Sequence, residues 1–391
     1  MKILYILSST TPFGGASKSF LTLVRYMQGI GVIPMVVVPD ENGLCADLKE
    51  AGIAYRVAFF RWGVYPPLQT MKDRLLFLPR LFGRIYANWL GTRQVCAIAR
   101  TFKPDIIHTN VSVITVGYRA AQKLHIPHVW HIREYGDMDF HLRYMPTRRQ
   151  FIHTLHRPGS YSICITNALA SYNGLSDFSQ SRIIYNGIVP TTKNAPRNIS
   201  WERDPYFLFA GHIESAKGIK EMIRAYASCV NKMSIRHSLW IAGKVTNPEY
   251  FNEIQAFIKQ SHLEKDIVFM GELSNLPEYM QKAKAVIIPS LSEAFGRVMP
   301  EAMYNNALVI AYDNAGSKEQ LDNGLLLTGE EIGLRYTTEN ELSRIMLHVA
   351  NEGLQPFKEM ITRAQDTVCE LYSKERYTEK VLSFYKFILQ Q

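Results

Sequence analysis

What most constrains this chain is an alternation that occurs twice. Short apolar runs near Ile3–Leu7, Pro34–Val38, Ala54–Phe59, Asp105–His108, His128–Ile132, Tyr161–Thr166 and Arg182–Tyr185 are separated by stretches with helical spacing of apolar residues. A second series follows near Tyr206–Ala210, Ser238–Ala242, Ile267–Met270, Ala285–Ile288, Leu308–Ala311 and Leu325–Leu327. A strand that reads as a continuous apolar run is buried on both faces, and the intervening helices are what bury it. Each series therefore predicts a parallel sheet covered on both sides, an α/β fold built twice. Between the two, Val189 to Pro205 holds three prolines and many polar residues without a period, which reads as a linker. After Thr337 only helical patterns follow, ending in a tail from Ser373 to Gln391.

Composition agrees with two cores. A chain of 391 residues exceeds one ordinary domain, and 47% hydrophobic with 20% charged residues excludes disorder. The five cysteines are odd in number and scattered, with no Cys-x-x-Cys. That excludes a zinc knuckle and a disulfide framework and predicts a reducing compartment. Ile3–Leu7 is too short for a signal-peptide core, and no run of 18 apolar residues occurs, so no leader or membrane span is expected.

Chemistry is expected at the ends of three strands. Behind the run Ala285–Ile288 comes Pro289-Ser-Leu-Ser-Glu-Ala-Phe-Gly-Arg-Val-Met-Pro-Glu-Ala-Met303, with Glu293 eight residues before Glu301. The C-terminal strand edge is where open α/β sheets bind ligands. There Glu293 can accept hydrogen bonds from sugar hydroxyls, and Glu301, two turns into the expected helix, can reach a ribose. The amides of Ala294, Phe295 and Gly296 lie where a helix start meets an anion. The loop Ser8–Lys18 carries Gly14-Gly15-Ala16, glycines that let a phosphate approach the backbone. A third loop, Gly211-His-Ile-Glu-Ser-Ala-Lys-Gly218, sets Lys217 at a helix start, a position unfavourable for an unpartnered cation and favourable beside a bound anion.

Together with Tyr185-Asn-Gly-Ile188, these motifs resemble, in order and spacing across nearly the whole chain, the retaining sugar-nucleotide glycosyltransferases of family 4, of bacterial surface-polysaccharide type. The resemblance implies the GT-B fold, two facing Rossmann-like domains with parallel sheets and a C-terminal helical tail. It places an acceptor-side domain at 1–188, the linker at 189–205, a nucleotide-sugar domain at 206–372, and a C-terminal helix at 373–391 packing back on the first domain. It also implies that Gly14 and Gly15 hold the donor diphosphate, Lys217 pairs with its charge, Glu293 holds the sugar, Glu301 the ribose, and His131 faces the reacting sugar. Phe295, Gly296 and Arg297 belong to the same donor site. Similar enzymes carry arginine where this chain has His212, which cannot make a guanidinium's bidentate phosphate contact. Either His212 is protonated by the diphosphate, or Arg133 or Arg297 supplies the charge. No Asp-x-Asp sits at a strand end; Asp137-Met-Asp139 reads as surface loop, so no metal is expected. The resemblance further implies a UDP- or GDP-sugar donor with no further cofactor, and charge stabilisation on the leaving phosphate as the main catalytic effect.

Charge speaks to the acceptor. Arg56 to Lys103 holds nine basic residues against the single acid Asp73, nearly all of the chain's formal +9. From Pro79, an expected first helical residue, Phe82, Ile85 and Trp89 share one face with Arg80 and Arg84 opposite. This reads either as an ordinary packed helix or as a basic amphipathic helix for an anionic membrane surface. The leading expectation is a cytoplasmic hexosyltransferase, peripheral on the inner face of the cell membrane, that builds polysaccharide on a glycan or polyprenyl-linked acceptor. A soluble enzyme acting on a small acceptor, or a nucleotide-sugar epimerase, is the alternative; an inert binding protein is opposed by Glu293, Glu301 and Lys217. No aromatic-basic motif calls for nucleic acid.

Overall fold

The computed structural model describes residues 1–11, 15–191, 195–196 and 201–391. They form two compact units, Met1–Gly187 with Lys374–Gln391, and Ile188–Ser373. The first holds seven parallel strands: β1 (Lys2–Ile6), β2 (Ile33–Val38), β3 (Ala54–Val57), β4 (Ile106–Thr109), β5 (His128–Ile132), β6 (Ser160–Cys164) and β7 (Ser181–Ile183), in the order β3-β2-β1-β4-β5-β6-β7. The second holds β8 (Tyr206–Ala210), β9 (Ser238–Ala242), β10 (Ile267–Gly271), β11 (Ala285–Ile288), β12 (Val309–Tyr312) and β13 (Leu334–Tyr336), in the order β10-β9-β8-β11-β12-β13. These are the two Rossmann-like parallel sheets that the apolar runs predict.

Central strands explain why the runs were continuous: β4, β5, β6, β8 and β11 are buried at every residue. The core of the first unit joins β1 to Phe20, Leu23, Val24 and Met27 of the helix Gly15–Gly29. The helix Lys374–Ile388 adds Tyr377, Val381, Phe384, Tyr385 and Ile388 to that core. In the second unit, Met222, Ile223 and Tyr226 of the helix Ile219–Cys229 meet Leu342, Met346 and Val349 of the helix Glu339–Glu352. Of the expected linker, Pro196 is tied to the second unit, its carbonyl accepting from Asn306 Nδ2 at 2.7 Å and Gln365 Nε2 at 3.1 Å. Asn306 has φ 56°, a left-handed conformation that asparagine tolerates just past a helix end.

Two expectations need correction. Leu325–Leu327 is not a strand; it ends the helix Ala315–Thr328, with Leu326 86% exposed, and the sixth strand is instead Leu334–Tyr336. Three leucines at a helix end cannot be told from a short strand by periodicity. The long helix begins at Phe77, not Pro79, and runs to Phe102, preceded by a short helix Met71–Leu75 with a Thr70–Asp73 capping box. Its buried residues are Ala87, Asn88, Gly91, Thr92, Val95, Cys96 and Ala99, while Phe82, Ile85, Tyr86 and Trp89 face solvent. Arg84, expected opposite in water, instead donates to the Val64 carbonyl at 2.8 Å, and Arg80 pairs with Asp73. Among the described residues no helix is long and apolar enough to cross a membrane.

Both sheets reverse strand order beside their first strand, between β1 and β4 and between β8 and β11. Loops leaving neighbouring strands diverge at such a point and leave a crevice at the C-terminal edge. Gly15 follows β1, and Lys217, Glu293, Phe295, Gly296 and Arg297 follow β8 and β11, whereas His131 and Arg133 lie on and just after β5.

Candidate functional site

In the second unit, the loops after β8 and β11 are locked together. Leu291 donates to the Ala216 carbonyl at 2.9 Å. Gly218, at φ 65°, lies so close that a Cβ would come within 2.0 Å of the Pro289 carbonyl oxygen, so only glycine permits this approach. The β11 loop is held from its far side too: Asn314 Nδ2 donates to the Leu291 carbonyl at 2.5 Å, Gly316 N to the Glu293 carbonyl at 2.9 Å, and Gln320 Nε2 to the carbonyls of Phe295 and Gly296. Phe295 itself is an anchor, its ring buried edge-on against Tyr372. Gly296, at φ 81°, turns the chain back over the Glu293 side chain.

This frame brings the charged candidates together in pairs. Lys217 Nζ lies 3.2 Å from Glu293 Oε1, with 21% and 24% of their side chains exposed. Arg297 Nη2 lies 3.0 Å from Glu301 Oε1. The helix Val298–Tyr304 starts later than expected, so Glu301 sits in its first turn rather than two turns in, one turn from Arg297. Each pair sets a cation beside a carboxylate after β8 and β11, a set able to receive an anion and neutral hydroxyls at once. His212 follows β8 and is exposed.

In the first unit, Gly15 opens the helix Gly15–Gly29 and is exposed, while Gly14 lies outside the described residues. His131 is in the interior: fully buried, with Nδ1 3.1 Å from His108 Nε2 and 3.3 Å from Arg133 Nη2. It therefore does not present its ring at the surface, contrary to the expected role facing a sugar. The reason is that β5 is covered on both faces, so neither side of it opens to solvent. Since a guanidinium only donates, His131 Nδ1 is an acceptor and its proton sits on Nε2; His108 then donates through Nε2 and accepts from Tyr385 at Nδ1, 2.6 Å away. Burial, reinforced by the Arg133 charge, holds both rings well below the usual histidine range.

Arg133 ends this chain of bonds. It donates to Asn110 Oδ1 at 3.1 Å, Asn186 Oδ1 at 2.6 Å and the Tyr377 hydroxyl at 2.9 Å, and is 7% exposed. Next to it Glu134 Oε1 accepts from the Ser112 amide and hydroxyl, each at 2.7 Å, and burial pushes its carboxyl up to about 7. Asn110, Tyr377 and Ser112 escaped sequence reasoning. Asn110 had a signal, a polar residue directly after an apolar strand; Tyr377, 244 residues from Arg133, had none. Asp139 caps its own turn, accepting from the amides of Tyr135 and Gly136, and Asp137 pairs with Arg148. Among the described residues no group of three metal-ligating side chains is gathered.

Known proteins match both units. Residues 14–162 match the family described as Glycosyl transferase 4-like domain, and residues 191–332 match Glycosyl transferases group 1. An uncharacterized glycosyltransferase of Methanocaldococcus jannaschii is 25% identical over 230 residues, 54% of each chain. The N-acetylgalactosamine-N,N'-diacetylbacillosaminyl-diphospho-undecaprenol 4-alpha-N-acetylgalactosaminyltransferase of Campylobacter jejuni is 28% identical over 142 residues, 36% of this chain and 35% of that one. The chain thus spans about half the length, or less, of these curated relatives. Among solved structures, Anabaena HepE in complex with UDP superposes with a TM-score of 0.78 at 20% identity, covering 99% of this chain and 100% of that one.

Proposed function

We propose, from the match of one unit to a glycosyl transferase 4-like domain and of the other to glycosyl transferases group 1, that the chain is a glycosyltransferase of GT-B architecture that moves a hexosyl unit, with retention of configuration, from a nucleoside diphosphate sugar to a membrane-bound glycan acceptor in polysaccharide biosynthesis. The observation that carries this reading is the Lys217–Glu293 contact at the reversal point of the second sheet. Two side chains 76 residues apart meet where a phosphate and a sugar would need a cation and a hydroxyl acceptor. Donor binding exchanges the ion pair for two better contacts, Lys217 to the outer phosphate and Glu293 to sugar hydroxyls, while Glu301 turns to the ribose. HepE crystallised with UDP supports a nucleotide donor.

In the step proposed, the bond between the anomeric carbon and the phosphate oxygen breaks, and its electron pair stays on the phosphate. Lys217, with the backbone amides near Gly296, stabilises that charge in preorganised form. The acceptor hydroxyl attacks the same face of the sugar and gives its proton to the departing phosphate. No metal or cofactor is assigned a part, and turnover is expected to persist in EDTA. His131, being wholly buried, is assigned a positioning part through Arg133. The membrane-bound acceptor draws support from the diphospho-undecaprenol substrate in the name of the Campylobacter relative and from the exposed apolar face of the helix Phe77–Phe102. On this reading the enzyme docks peripherally on the inner leaflet.

Isothermal titration with a panel of UDP-, GDP- and ADP-sugars tests the donor assignment. One nucleotide sugar should bind, and Glu301→Ala should weaken it while leaving the fold intact. Absence of binding across the whole panel would refute the reading.

A further inference from the structure

In the first unit a groove of about 470 Å³ opens between the helices Phe77–Phe102 and Val116–Leu124. Ile85, Trp89 and Tyr118 give it apolar walls, Arg119, Lys123 and Arg157 give it cations, and among the described residues no acidic side chain lines it. Tyr118 is 8% exposed, and among the described residues its hydroxyl has no acceptor for its proton while the Arg157 charge lies beside it. A buried phenol in that state has a hydrogen bond left to give. The groove also runs into an apolar ridge: Phe82, Ile85, Tyr86 and Trp89, at i, i+3, i+4 and i+7, are 66%, 48%, 60% and 48% exposed. Arg93 covers Trp89 with its guanidinium 4.7 Å from the ring centroid.

Uncompensated cations at one end and apolar walls continuous with an exposed ridge at the other fit one kind of ligand. A free phosphate would leave Ile85 and Trp89 against water, and an uncharged apolar molecule would leave the three exposed cations unneutralised and the buried Tyr118 hydroxyl without a partner. We propose that this groove seats the headgroup of an anionic phospholipid, its phosphate accepting from Tyr118, Arg119, Lys123 and Arg157 and its acyl chains leaving along Ile85 and Trp89 into the bilayer. The proposal rests on the membrane-docking reading above and gives it a specific receptor on the protein.

Two measurements on the full chain test it. In co-sedimentation, vesicles of phosphatidylcholine with phosphatidylglycerol should retain the protein and pure phosphatidylcholine should not. Replacing Arg119, Lys123 and Arg157 together by Gln should lower partitioning on the order of a hundredfold, about fivefold for each cation. Removing the same charge at the exposed residues Arg25, Arg56 and Lys386 should change it far less. Equal losses in the two triple variants would overturn the seat in favour of general attraction. In the second measurement, short-chain phosphatidylglycerol below its micelle concentration should shift tryptophan emission, and the shift should vanish in Trp89→Phe and shrink in Tyr118→Phe. The same shift with inorganic phosphate alone would make this a phosphate site and overturn the lipid assignment. Nucleotide-sugar binding by the groove variants should equal wild type. Its absence in the wild type itself would count against the transferase reading and leave the vesicle result to judge the groove.

Discussion

Lys217 and Glu293 neutralise each other at 3.2 Å without being deeply buried, so each is open to exchange for a better partner. Because charge on the outer phosphate grows as the glycosidic bond breaks, Lys217→Ala should reduce turnover more than donor affinity. The expected loss is about 3 kcal/mol, roughly a hundredfold in kcat, read by steady-state kinetics beside titration; unchanged kcat would remove Lys217 from the chemistry. Glu134 offers a test in pH. Its carboxyl is raised to about 7 by burial, so the folded protein holds a proton there that the unfolded chain releases in the ordinary carboxylate range. That contribution is fully present at acid pH and is lost as pH rises through about 7. Denaturant titrations across this window should therefore show wild type losing about 3 kcal/mol relative to Glu134→Gln. Equal pH slopes would mean that Glu134 ionises freely. At this scale the sequence was legible where a charged residue followed an apolar strand, as with Glu293. It was misleading at His131, because a strand covered on both faces gives no period from which to tell outward from inward.

Elements were legible wherever they were long or central. Ala285–Ile288 announced both a buried strand and the loop behind it, whereas Leu325–Leu327 carried no such context and turned out to be a helix end. What could not be read was the mutual fastening of loops, which depends on residues distant in sequence. Gly218 is the clearest case, since its contact is with Pro289. Gly218→Ala should cost at least about 2 kcal/mol in denaturant titration, through both its left-handed φ and the displaced carbonyl, and should weaken donor binding with it. Full stability in this variant would show that the two loops tolerate separation. The helix Phe77–Phe102 makes the opposite prediction. Phe82 is 66% exposed, so Phe82→Glu should leave stability within about 0.5 kcal/mol of wild type while reducing binding to anionic vesicles. Binding equal to wild type would take the ridge out of the membrane reading.

For the whole molecule, two domains were legible from the doubled alternation, but the membership of the C-terminal helix followed only from resemblance, since a helical period does not say which sheet it covers. The helix Lys374–Ile388 supplies five side chains to the core of the first unit. At roughly 2 kcal/mol each their burial approaches the total stability of a domain. Truncation after Ser373 should accordingly abolish the calorimetric transition of the first unit and leave that of Ile188–Ser373 in place, still raised by nucleotide sugar. Loss of both transitions would show that neither unit stands alone. The chain enters the second unit once and leaves it once, so that unit is an insertion into the first. On the ribosome this reverses the order of completion. The sheet translated second can close while the one translated first still waits, with Phe20 and Tyr5 uncovered, for Tyr377 and Tyr385 to emerge, and it is this early-made, late-finished half that would most need a chaperone.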